Sequence, residues 1–331
     1  MAPEEEPEPP FTREALERAI LGDEFALSAT DIAAETGLTL EQTRRLWRAL
    51  GFPERGNEVA YTVADVEAVS QVARVVETGA VDFDMAVNLT RAVGQTMARL
   101  ADWEVATMIG RVEELEAGEE ATGSRLGSAQ RLVEAVNGPF EKLLTYAWRR
   151  HLAASVVRVE ALAANEEDLH TTLVTVGFAD IVAFTELSNR LEESRLGDLI
   201  EVFESRCHDV VSTHGGRAIK SIGDSVLFVN EDVERAIQSA EGIINVIGRD
   251  PRMPDVRVGL ASGSVIMRLG DVFGPPVNMA ARMTAVARRN RVIIDEATAR
   301  LLPGERFETR RLTARPVRGF GLVEPVAVRR I

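Results

Sequence analysis

The sequence predicts an α+β protein in two parts, an all-α first half followed by an α/β half with the β-α-β-β-α-β order of a ferredoxin-like core. Three observations predict it. The chain has 331 residues, too many for one ordinary core and suited to two. Residues 12 to about 165 carry helical periodicity with few β-branched runs. From Thr171 the pattern changes to short β-branched runs separated by turn signals and amphipathic helices.

The elements follow in order. The opening MAPEEEPEPPF is acidic and proline-rich, where a secretory signal is basic and then apolar, and it reads as a disordered tail over residues 1–11. Ser28 precedes ATDIAAETG and Thr39 precedes LEQTRRLWRAL, each a helix cap. This helix, glycine turn and helix over 28–52 has the spacing of a helix-turn-helix, and Arg44, Arg45 and Arg48 would suit a recognition helix. GSRLGSAQ reads as an exposed turn. Asn137-Gly138-Pro139 is expected to open a long helix over 139–163, with Phe140, Leu143, Leu144, Leu152, Val156 and Val157 as its apolar series. The domains expected are therefore 12–138, a connecting helix and linker over 139–167, and 168–331.

In the last of these, TTLVTVGF is a strand and Leu196, Leu199, Phe203, Cys207, Val210 and Val211 mark one face of a long helix. RAIKSI and SVLFV flank Gly223-Asp224 as a tight hairpin. A helix over VERAIQSAEGIINVI and a strand over VRVGLASGSVI complete the core.

Charge excludes some functions. The formal net charge is −14, and it is concentrated: residues 1–170 hold 16 basic against 31 acidic side chains, −15, which leaves +1 for the rest. Such a field repels nucleic acid and anionic lipid, while the near-neutral second half can accept a polyanionic small molecule. With 45% apolar and 27% charged residues and no run of ~20 apolar residues, a soluble protein is expected. Cys207 is the single cysteine and can form neither an intrachain disulfide nor a CxxC site, which suits the cytosol.

The candidate chemistry lies in three segments. Asp180 stands in GFADIVAFT, where a strand turns into a helix; there a carboxylate can hold a divalent cation beside free backbone N–H groups. Asp224 stands at the hairpin tip, so the two carboxylates converge if the first strand lies beside the hairpin. Two carboxylates that leave room for water and phosphate suit magnesium. Taken singly, Asp180 reads as a helix cap and Asp224 as a turn former. The third segment, DVFGPPVNMAARM, spaces Asp271, Asn278 and Arg282 by seven and four, which puts the last two on one helix face. Lys220 precedes Asp224 by four.

GFADIVAFT, IKSIGDSVLF and GDVFGPPVNMAARM resemble, in order, the three signature segments of the class III nucleotidyl cyclases. The resemblance covers roughly residues 168–331. It implies that Asp180, Asp224 and the backbone carbonyl of Ile181 bind two Mg²⁺ or Mn²⁺ ions. It further implies that Lys220 and Asp271 read adenine, and so ATP over GTP, that Asn278 orients the ribose, and that Arg282 stabilises charge on the α-phosphate. Phe178 and Thr185, at the edges of the first segment, are implied substrate contacts. The 3′-hydroxyl of ATP would then attack the α-phosphorus in line and release pyrophosphate. In this family the metal aspartates and the other set come from different catalytic domains, so a homodimer is implied.

Two departures stand out. The family usually has glycine at Ala183, where a side chain could crowd the phosphates. Arg318 takes the place where the family often offers a lysine to the terminal phosphates. The first half resembles the helical regulatory domains of actinobacterial cyclases. Protons, acting near His151 and His170, and an apolar ligand among the helices are the expected inputs. The competing classes are a guanylate cyclase, a catalytically silent nucleotide sensor and a DNA-binding regulator.

Overall fold

The computed structural model describes residues 12–118, 121–164, 171–268 and 270–331, and the chain divides into two compact units, Met1–Ala153 and Ala154–Ile331. The expected tail, the expected boundary near residue 167 and His170 lie outside the described residues.

The first unit is helical: α1 (Arg13–Leu21), α2 (Ala29–Thr36), α3 (Leu40–Leu50), α4 (Val63–Glu77), α5 (Phe83–Ala117) and most of α6 (Arg125–Ala164). Ser28 and Thr39 cap α2 and α3 as expected, each closing a capping box with Asp31 or Gln42, a contribution of about 1 kcal/mol apiece. Ile32, Leu46, Tyr61, Val66, Val69 and Val87 form the core. The helix-turn-helix is present, and two of its three arginines are held in ion pairs. Arg45 pairs with Asp84 of α5 at 2.7 Å and lies over the Phe83 ring. Arg48 bridges Glu41 and Glu54 at 2.9 and 2.6 Å. A DNA phosphate would have to compete with those carboxylates.

Two expectations are corrected here. GSRLGSAQ is mostly helix: Gly123 turns at φ 75°, α6 begins at Arg125, and Gly127 and Ser128 are buried. Pro139 therefore lies inside α6 and does not open it. The reason is tertiary. Leu126, Leu132 and Val133 wall an apolar space together with α5, and the Glu116 carboxylate accepts from the Thr122 N–H and hydroxyl and from the Ser128 hydroxyl. These contacts fix the start of α6 at Arg125, upstream of Pro139.

The second unit is built on an eight-stranded sheet. Its elements are β1 (Thr171–Ile181), α7 (Phe184–Ser188), α8 (Glu193–Thr213), β2 (Arg217–Ile222), β3 (Ser225–Asn230), α9 (Val233–Gly248), β4 (Val256–Arg268), β5 (Asp271–Phe273), α10 (Pro275–Val286), β6 (Val292–Ile294), α11 (Glu296–Arg300), β7 (Phe307–Arg311), β8 (Arg315–Val317), β9 (Gly321–Val323) and β10 (Val326–Arg330). The strand order is β2-β3-β1-β4-β6-β10-β7, with β5 on β4. Its first four strands with α8 and α9 make the expected β-α-β-β-α-β core, and α7 is an added short turn.

Alternation along β1 explains the two faces. Ala179 and Ile181 point to α8 and α9, whose Phe203, Cys207, Ile237 and Ile243 cover that side. Val174, Val176 and Phe178 point to the opposite side, where Ala280 of α10 joins them. The β8–β9 hairpin packs on α10 through Val317 and Met283.

Candidate active site

The sheet register brings the two aspartates to one end. Asp180 is the penultimate residue of β1, within the strand and not after it, and faces Ser225 on β3 and Arg257 on β4. It is 8% exposed, a burial that a carboxylate tolerates only when paired. Both oxygens are engaged. Oδ1 accepts from the Ser225 hydroxyl, and Oδ2 accepts from Arg257 Nε at 2.7 Å. Gly223, at φ 61°, permits the tight turn that places Asp224 between β2 and β3. The Asp224 carbonyl accepts from the Ile181 N–H at 3.1 Å, which ties the hairpin tip to the end of β1.

Burial, and then the negative charge of Asp180, push the Asp224 carboxyl above its ordinary value. A carboxylate pair in which Asp180 raises the cost of ionising Asp224, presenting hard oxygen donors, fits a divalent cation. No cluster of three or more His, Cys, Asp or Glu occurs among the described residues.

Ala183 follows at φ 58°, ψ 36° and starts α7 without a side-chain cap. The glycine usual in the resembling family thus has a conformational basis, since this left-handed region favours glycine. Thr185 is exposed on α7. Phe178 is buried in the core, yet it also walls a cavity of about 210 Å³ with Asp180, Ser225 and Arg257 from the sheet and Ala281, Thr284 and Ala285 from α10.

The remaining residues stand outside that cavity wall. Lys220 on β2 forms an ion pair with Asp271 on β5. Burial pushes the Asp271 carboxyl up, but the Lys220 ammonium and the Val272 N–H, which donates at 2.8 Å, hold it below the usual carboxylate value. Asn278 and Arg282 lie one turn apart on the exposed face of α10, opposite its buried Pro276, Ala280 and Met283. Arg318 is exposed in the β8–β9 turn.

Two residues of the site escaped the sequence reading, Ser225 and Arg257. A lone arginine inside the apolar run VRVGL was the available signal for the second; nothing local marks the first.

Residues 167–328 match the family described as adenylate and guanylate cyclase catalytic domain, and residues 11–149 match the adenylate cyclase regulatory domain. An adenylate cyclase of Streptomyces coelicolor is 37% identical over 94% of this chain and 87% of its own length. An adenylate cyclase of Glutamicibacter nicotianae is 36% identical over 94% of this chain and 80% of its own. A pH-sensitive adenylate cyclase of Mycobacterium tuberculosis is 30% identical over 86% and 72% respectively.

Proposed function

Because the chain belongs to the class III adenylate cyclases that carry an N-terminal regulatory domain, we propose that it closes ATP into 3′,5′-cyclic AMP and pyrophosphate in a pocket shared by two copies of the chain. The observation that carries the shared pocket is the division of the six matched residues. The bond from the Ile181 N–H to the Asp224 carbonyl ties the two aspartate-bearing segments together at one end of the sheet, while Lys220 pairs with Asp271 and Asn278 and Arg282 lie on the exposed face of α10. A second copy related by a two-fold axis would bring its own set to the first copy's aspartates, making two equivalent pockets.

Asp180, Asp224 and the Ile181 carbonyl would hold two Mg²⁺ or Mn²⁺ ions. When bound, the ions supply activation of the ribose 3′-hydroxyl and neutralisation of phosphate charge. Lys220 donates to adenine N1, and Asp271 accepts from the exocyclic amine; guanine presents the reverse pattern. Their ion pair holds the two side chains together before the base arrives. Asn278 orients the ribose. Arg282 donates to the α-phosphate as its charge grows in the transition state, where preorganised donors have their largest effect. Arg257, beside Asp180, and Arg318 are the candidates for the terminal phosphates, since guanidinium suits phosphate in two-pronged geometry. Thr185 and Phe178 complete the substrate contacts near the end of β1.

We assign regulation to residues 12–138, connection to 139–167 and catalysis to 168–331. In the helical unit, α1, α5 and α6 line an open apolar groove of about 450 Å³ walled by Leu16, Ile20, Met108, Ile109, Val112 and Leu132. The Arg125–Glu113 pair, at 3.5 Å, stands at its edge. This supports an apolar effector with an acidic head group. Filling the groove by Ala129→Phe should abolish any response of turnover to added fatty acid, and an unaltered response would exclude this site. The pH sensitivity of the Mycobacterium tuberculosis relative supports protons as a second input, with His151 exposed on α6. No described helix is long and apolar enough to cross a membrane.

The test is incubation of the purified chain with ATP or GTP and Mn²⁺, with the products separated by chromatography. Cyclic AMP from ATP, with far slower use of GTP, is expected, and Asp180→Ala should remove it. Turnover that survives in that variant would refute the metal assignment.

A further inference from the structure

The placement of Asn278 and Arg282 depends on where α10 sits, and α10 rests on the sheet at one close approach. A Cβ on Gly259 of β4 would come within 2.1 Å of Thr284 N, 2.5 Å of the Thr284 hydroxyl and 2.6 Å of the Ala280 carbonyl oxygen. The helix backbone therefore lies directly on the strand there. Gly259 is the register partner of Phe178 on β1, so the contact falls two residues from Asp180.

Thr284 is 5% exposed. Its hydroxyl faces the Ala280 carbonyl at 2.8 Å, the usual backward bond of a helical threonine, and also the Phe178 carbonyl at 3.3 Å. The second acceptor is on another element. The single hydroxyl proton, shared between the two carbonyls, links α10 to the strand that carries Asp180.

We infer that Thr284 is a positioning residue for the cyclase reaction, fixing the height and rotation of α10 and hence of Asn278 and Arg282. β1 is held on both sides by β3 and β4, so it serves as the fixed reference and α10 as the part that is set. A displacement of about 1 Å at reacting groups can cost ~100-fold in rate, so even a partial release of α10 is expressed in turnover. The inference rests on the shared-pocket reading above.

Thr284→Val removes the hydroxyl at nearly constant volume, and Thr284→Ser keeps it. In the full-length protein, Thr284→Val should lower kcat about tenfold with KM for ATP changed less than about twofold, as for an interaction that acts on the transition state. Thr284→Ser should stay within about threefold of the parent, and both thermal midpoints within a few degrees of it. Full kcat in Thr284→Val, an equal loss in Thr284→Ser, or a loss that tracks the thermal midpoint would overturn the inference.

Mixed dimers locate the effect. A chain with Asp224→Ala paired with one carrying Arg282→Ala has a single competent pocket, which uses the α10 of the first chain. Thr284→Val should lower turnover about tenfold on the first chain and less than about threefold on the second; equal losses would overturn the inference. If the parent pair shows no turnover although mixed dimers form, the shared pocket is refuted, and the kcat and KM comparison alone decides the role of Thr284.

Discussion

Arg257 lies directly across the β1–β4 pair from Asp180 and donates to its Oδ2 at 2.7 Å. The guanidinium occupies an oxygen that a cation would need. Arg257→Ala should therefore tighten Mn²⁺ binding in the absence of nucleotide, because a competing charge is gone. The same change should raise KM for ATP about tenfold if the released guanidinium takes phosphate. Titration calorimetry with Mn²⁺ and steady-state kinetics measure the two effects, and weaker Mn²⁺ binding would contradict the first.

Asp224 gives a prediction of opposite signs for stability and function. Burial and the Asp180 charge raise its carboxyl in the fold, so the folded state favours the protonated form. The stability that this group lends is present below the ordinary aspartate value of about 3.9 and is lost as pH rises through the raised folded value. At neutral pH the ionised group is a net burden on the metal-free protein. Asp224→Asn should raise the thermal midpoint at pH 7 by a few degrees, show little gain near pH 3, and abolish turnover. Paired melts at the two pH values check it.

The Lys220–Asp271 pair sets base selection on this account. Asp271→Asn replaces an acceptor by a group that also donates and leaves Lys220 without its counter-charge. The expected result is a fall of about 10–100-fold in kcat/KM for ATP with a smaller change for GTP. An unchanged ratio between the two nucleotides would remove the pair from base recognition.

Ala183 holds a left-handed conformation at φ 58°, which costs a residue with a Cβ roughly 1 kcal/mol. Ala183→Gly relieves that strain but adds unfolded-state entropy. The net gain should be below about 1 kcal/mol, a rise of roughly 1–3 °C in the thermal midpoint. A lower midpoint would show that the alanine methyl makes a stabilising contact.

The hairpin at Gly223-Asp224 was legible because a glycine-aspartate pair between β-branched runs permits few alternatives. The converging aspartates followed once the first strand was set beside that hairpin. Ser225 and Arg257 were not legible as partners of Asp180, since their contact exists only in the register of strands distant in sequence. Pro139 was misplaced for a related reason. Locally, a proline after Asn-Gly looks the same at a helix start as inside a helix, and the earlier start of α6 at Arg125 is tied to the bonds that the Glu116 carboxylate accepts from Thr122 and Ser128. The arginines of α3 likewise read as free from sequence, while Asp84, Glu41 and Glu54 hold two of them.

The most direct test of the account is complementation between two inactive chains. Asp224→Ala lacks a cation ligand and Arg282→Ala lacks the transition-state donor, and each alone should form no cyclic AMP. After mixing and subunit exchange, half of the dimers hold one chain of each kind and one intact pocket, so about a quarter of parent turnover should return. No turnover in a sample whose mixed dimers are demonstrated by mass would contradict a pocket built from two copies.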